Sequence, residues 1–72
     1  MKMTKFKLMR LKACMTQKEL AEKAGVSWST IARLEQNPST IYKMQFQNVA
    51  GIAKAIGATP DDMYNWGKEE EV

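Results

Sequence analysis

Residues 16–36, Thr16-Gln-Lys-Glu-Leu-Ala-Glu-Lys-Ala-Gly-Val-Ser-Trp-Ser-Thr-Ile-Ala-Arg-Leu-Glu-Gln36, read as two short helices joined by a tight glycine turn. Thr16 stands where an N-cap should, and Glu19 three residues on completes a capping box. Met15, just ahead of the cap, can staple to Leu20. Gly25 supplies the left-handed residue that ends a helix at little steric cost. The start signal then repeats, with Ser27 as cap and Val26 free to staple to Ile31. The spacing predicts helices over about Gln17–Ala24 and Trp28–Gln36, a helix-turn-helix. Leu20, Ala21 and Ala24 face inward on the first, Ile31 and Leu34 on the second. Small Ala21 lets the two helices cross closely.

Upstream, Phe6, Met9 and Ala13 recur at helical spacing, and Leu8 and Leu11 widen the stripe, which predicts a helix over about Thr4–Ala13. Cys14 then falls in a turn where glycine or asparagine is more usual. Downstream, Asn37-Pro38 stops the third helix and a polar loop is expected through about Lys43. A fourth helix spans about Gln45–Ile56, with Val49, Ile52, Ala53 and Ile56 on one face and Gly57 at its end. Thr59-Pro60-Asp61-Asp62 opens a last short helix with a cap, a proline at the first position and carboxylates in the first turn. Met63, with Tyr64 and Trp66, closes the core from that side. No segment alternates as a strand. The expected organisation is an all-α, compact five-helix domain over residues 1–66 and an acidic C-terminal tail over 67–72.

At 72 residues the chain makes one domain, near the lower size limit for folding without disulfide or metal. Cys14 is alone, which excludes an intrachain disulfide framework. There is no histidine, and with it go the usual zinc sites and the usual general base. No phosphate-binding glycine loop is present. An enzyme is not expected, nor is a cofactor or a metal. Lys5, Lys7, Arg10 and Lys12 interrupt every apolar stretch that would serve as a signal-peptide core, and none is long enough to span a membrane, so a cytoplasmic protein is expected. Net charge is +3, but its distribution says more. Residues 1–60 hold ten Lys/Arg against Glu19, Glu22 and Glu35 only. Asp61, Asp62 and Glu69 to Glu71 lie at the C-terminal end, so the basic body suits a polyanion contacted away from that end.

Taken together, Thr16-Gln17, Leu20-Ala21, Ala24-Gly25-Val26-Ser27, Ile31, Leu34-Glu35 and Ile52-Ala53-Lys54-Ala55-Ile56-Gly57 with a short capped helix after it resemble the phage repressor/Cro-like helix-turn-helix DNA-binding domains. The resemblance covers about Phe6 to Tyr64. It implies a lambda-repressor-like five-helix fold and binding of operator DNA, usually as a homodimer on a palindromic site. It also implies that Gln17 touches the DNA backbone and braces the recognition helix, and that Arg10 and Glu35 form a partly buried ion pair tying the first helix to the third.

Candidate contacts follow from the rotation that Ile31 and Leu34 impose on the third helix. Trp28, Ser29 and Arg33, with Ala32 beside them, are left on one outward stripe as base contacts. An arginine there can pair with guanine O6 and N7, and a tryptophan can pack on thymine methyls. Relatives often carry a polar residue where this chain has Trp28. Gln17, Thr16, Ser27, Thr30, Asn37, Ser39, Thr40, Tyr42 and Lys43 are candidate phosphate contacts, which position the protein without reading sequence. The function expected is sequence-specific binding of double-stranded DNA through the major groove by a small prokaryotic or phage regulator of the repressor kind. The alternative is an antitoxin or other protein-interaction module on the same scaffold, for which only Asn65–Val72 is spare to cover a partner.

Overall fold

The computed structural model describes residues 4–68. Five α-helices and one 3-10 segment follow in chain order: α1 (Lys5–Lys12), α2 (Gln17–Ala24), α3 (Trp28–Gln36), η1 (Pro38–Lys43), α4 (Phe46–Ile56) and α5 (Pro60–Lys68). No strand occurs among the described residues, and no helix there is long and apolar enough to cross a membrane.

The caps work as the sequence indicates. Thr16 Oγ1 accepts from the Glu19 amide at 3.0 Å, and the Glu19 carboxylate accepts from the Thr16 amide at 2.9 Å. That backbone hydrogen bond, with the Thr16 hydroxyl second, holds the Glu19 carboxyl below its ordinary value. Ser27 Oγ accepts from the Thr30 amide at 3.3 Å. Thr59 and Asp62 exchange the same reciprocal pair at the start of α5. Gly25 and Gly57 end α2 and α4 with φ of 76° and 75°, where a side chain is strained. Cys14 takes φ 59° in the turn after α1, the left-handed position that a glycine or asparagine more often fills.

The core is one cluster: Phe6 from α1, Leu20 and Ala21 from α2, Ile31 and Leu34 from α3, Ile41 from η1, Val49, Ile52, Ala53, Ala55 and Ile56 from α4, and Met63 from α5. Met15 and Val26 pack against it from ahead of the two caps, as do Tyr64 and Trp66. α2 lies across α4 at very close range. A Cβ on Gly51 would stand 2.9 Å from the Ala24 carbonyl oxygen, so α4 carries a glycine at the crossing.

Two expectations are corrected. Leu11 is 45% exposed and does not widen the α1 stripe; the place one residue before it is taken by buried Arg10. The stretch after Asn37 is a 3-10 helix, not a plain polar loop, because Ile41 is buried and draws the backbone onto the core. α4 runs Phe46–Ile56 with Gln45 as its N-cap, in keeping with the expected span, and Gln45 makes no side-chain capping bond. α5 runs through Gly67 and Lys68. The acidic residues 69–72 lie outside the described residues.

Candidate nucleic-acid interface

α3 has a buried side and an open side. Ile31, Leu34 and Glu35 are buried, while Trp28, Ser29 and Arg33 are exposed and Ala32 is half-buried beside them. The rotation inferred from the apolar spacing is the one observed. Trp28 is 62% exposed, a large apolar surface for the start of a helix. Among the described residues no carboxylate pairs with Arg33. The guanidinium is therefore open to an external acceptor.

Behind the open side lies a polar network that begins in the core. Arg10 of α1 forms a two-pronged ion pair with Glu35 of α3, through Nε to Oε2 and through Nη2 to Oε1 at 3.3 Å. Both side chains are buried, and Arg10 Nη1 donates to the Met15 carbonyl at 2.7 Å. Glu35 Oε1 also accepts from Gln17 Nε2 at 3.0 Å. Gln17 Oε1 in turn accepts from the Trp28 indole N–H at 3.0 Å. Trp28 and Glu35 stand seven residues apart on one line of α3, two turns, and the Gln17 amide from α2 bridges them. No buried side-chain nitrogen or oxygen among the described residues lacks a partner.

This network holds the Gln17 side chain in place. Its amide gives one N–H to Glu35 and accepts from Trp28, which leaves the second Nε2–H and the backbone N–H at the start of α2 for a phosphate. It also restricts Trp28. With the indole N–H donated inward, the ring offers only its apolar face and edge.

Two basic grooves flank α3. One, of about 510 Å³, is lined by Lys7, Arg10, Thr16, Gln17, Lys18 and Trp28. The other, of about 350 Å³, is lined by Thr30, Arg33, Asn37, Thr40, Lys43 and Met44. No acidic residue lines either one. Lys7 and Lys18 were not singled out in the sequence; Lys18 was legible as the second residue of a capped helix, but Lys7 reaches the groove only through the packing of α1.

The remaining candidates are placed unevenly. Thr30, Asn37, Thr40 and Lys43 are gathered in the second groove, and Thr16 in the first. Ser27 Oγ lies 3.2 Å from Ser29 Oγ and 2.8 Å from Thr30 Oγ1, a hydroxyl cluster at the head of α3. Ser39 donates to Asn37 Oδ1 at 2.7 Å and lines neither groove. Tyr42 turns the other way: its hydroxyl donates to the Tyr64 carbonyl at 2.7 Å, and the two rings stack at 6.1 Å. Its proton is thus committed to α5.

The model of the Cro/C1-type HTH DNA-binding domain matches residues 5–69 of the chain. No curated protein and no solved structure matches it.

Proposed function

Because the chain belongs to the Cro/C1-type helix-turn-helix DNA-binding family, we propose that it binds double-stranded DNA sequence-specifically through the major groove. In this reading it is a small prokaryotic or phage transcription regulator of the repressor kind, acting in the cytoplasm. α3 enters the groove, with Arg33 and Ser29 hydrogen-bonding to base edges and Trp28 and Ala32 making apolar contacts. Lys43, Thr40, Asn37 and Thr30 on one side, and Lys7, Lys18 and the first amides of α2 on the other, take phosphates. The observation that carries this reading is the open stripe of α3 lying between two basic grooves. A homodimer on a palindromic site completes it, with the exposed parts of Tyr64 and Trp66 on α5 as the contact.

The test is enrichment of fragments from a genomic library, read at two salt concentrations. Binding should select one short inverted motif whose halves lie about 34 Å apart, and affinity should fall steeply with salt. Failure to enrich any motif removes specific recognition, and enrichment of a single uninverted half-site removes the dimer.

A further inference from the structure

The C-terminal half of α5 lies against η1 with almost no clearance. A Cβ on Gly67 would stand 2.7 Å from Ile41 Cγ2, 3.2 Å from the Pro38 carbonyl oxygen and 3.2 Å from Tyr42 Cε2. Three residues before it, Tyr64 stacks on Tyr42 and accepts a hydrogen bond from its hydroxyl at the main-chain carbonyl. Between those two contacts Ile41 is driven into the core, 1% exposed. The residues on the other side of the same short segment, Thr40 and Lys43, line the second groove with Thr30 and Arg33 of α3. η1 is therefore held from behind by α5 and faces the groove in front. A glycine in a helix is a less stable choice than alanine, and the close approach that it permits accounts for its place here.

Resting on the DNA-binding reading above, we propose that Tyr42, Tyr64 and Gly67 form a strap that positions η1, and so sets the phosphate contacts of Thr40 and Lys43 while leaving the base-reading stripe of α3 alone. None of the three touches DNA. A methyl group at position 67 must push η1 outward or α5 away. An outward shift of η1 takes Lys43 and Thr40 out of register with the phosphates beside α3, and a shift of α5 removes the support behind η1 and frees it to move. Loss of the Tyr42 hydroxyl unties one end of the strap without adding bulk.

The experiment compares Gly67→Ala and Tyr42→Phe with the unaltered chain on two probes: a fluorescein-labelled duplex of arbitrary sequence, titrated over a range of salt, and a randomised duplex library that reports base preference. Hydrogen exchange of the 39–43 amides is followed in the free proteins. Gly67→Ala should weaken binding about tenfold at low salt and make the salt slope shallower by about 1, since one phosphate contact is lost. Tyr42→Phe should do the same to a smaller degree. Both should speed exchange in η1, and neither should change the base preference. A direct phosphate contact by the uncharged Tyr42 hydroxyl would cost affinity without changing the slope, and that outcome would overturn the strap. Wild-type affinity, slope and exchange in both variants would overturn it as well, as would an altered base preference. Should Gly67→Ala fail to fold, Tyr42→Phe decides alone. A wild-type chain that binds no duplex removes the DNA-binding reading itself, and this proposal with it.

Discussion

At the scale of single residues, the consequential group is Glu35. Its carboxylate is buried, paired with Arg10, and shared with Gln17. Burying two charges costs several kcal/mol each, and the fork geometry with its extra hydrogen bonds offsets that cost only while both partners are present. Arg10→Met alone should destabilise the fold by about 3–5 kcal/mol, because it leaves Glu35 charged and unpaired. Arg10→Met combined with Glu35→Leu should recover most of that loss. Urea denaturation of the two variants checks this, and a double variant no more stable than the single one would contradict it. The pair was named through resemblance to other chains. The reading of apolar spacing alone placed Leu11 on the inner stripe of α1 and passed over the buried arginine beside it.

At the scale of elements, the crossing of α2 and α4 depends on Gly51, where a Cβ would stand only 2.9 Å from the Ala24 carbonyl oxygen. Gly51→Ala should lower stability by about 1–3 kcal/mol through overpacking, although alanine is the better helix former. For a domain of this size each kcal/mol is a shift of about 4–8 °C in Tm, so a thermal melt resolves it; an unchanged or raised Tm would mean that the helices are not so close. Such glycines mark the limit of what the sequence discloses. Thr16, Glu19, Gly25, Ser27, Gly57 and Thr59 were legible because caps and left-handed ends are settled within a few residues of chain. Trp28, Ser29 and Arg33 were legible because Ile31 and Leu34 fix the rotation of α3. Gly51, Gly67 and the Tyr42–Tyr64 stack answer to neighbours 22 or more residues away in the chain, and no local pattern announces them. Ile41 was lost in the same way, a buried residue in a stretch of otherwise polar loop formers.

At the scale of the whole molecule, the principal extents of 27 × 23 × 21 Å fall short of the ~34 Å between half-sites on one face of a duplex. In the proposed complex one copy therefore covers one half-site. Within it the structure separates two kinds of basic residue. Arg33 stands on the stripe of α3 that faces the base edges in the proposed complex, and Lys43 stands across the groove on η1. Arg33→Ala should relax preference at one base position in each half-site, at about 1–3 kcal/mol of discrimination. Lys43→Ala should weaken all duplexes alike and make the salt slope shallower by about 1. Binding curves on single-base operator variants separate the two effects, and equal behaviour of both substitutions would contradict the division.

The bond from Trp28 to Gln17 also bears on how such a protein can change its target over time. Gln17 is held by Glu35, and Glu35 by Arg10, so the orientation of Trp28 is tied to the core, and a new residue at position 28 leaves Gln17 Oε1 to a new donor or to water. Ser29, Ala32 and Arg33 carry no such tie to the core. Drift toward new operators has an open route through those three positions. At Trp28 a substitution also gives up the bond that orients the ring against α2.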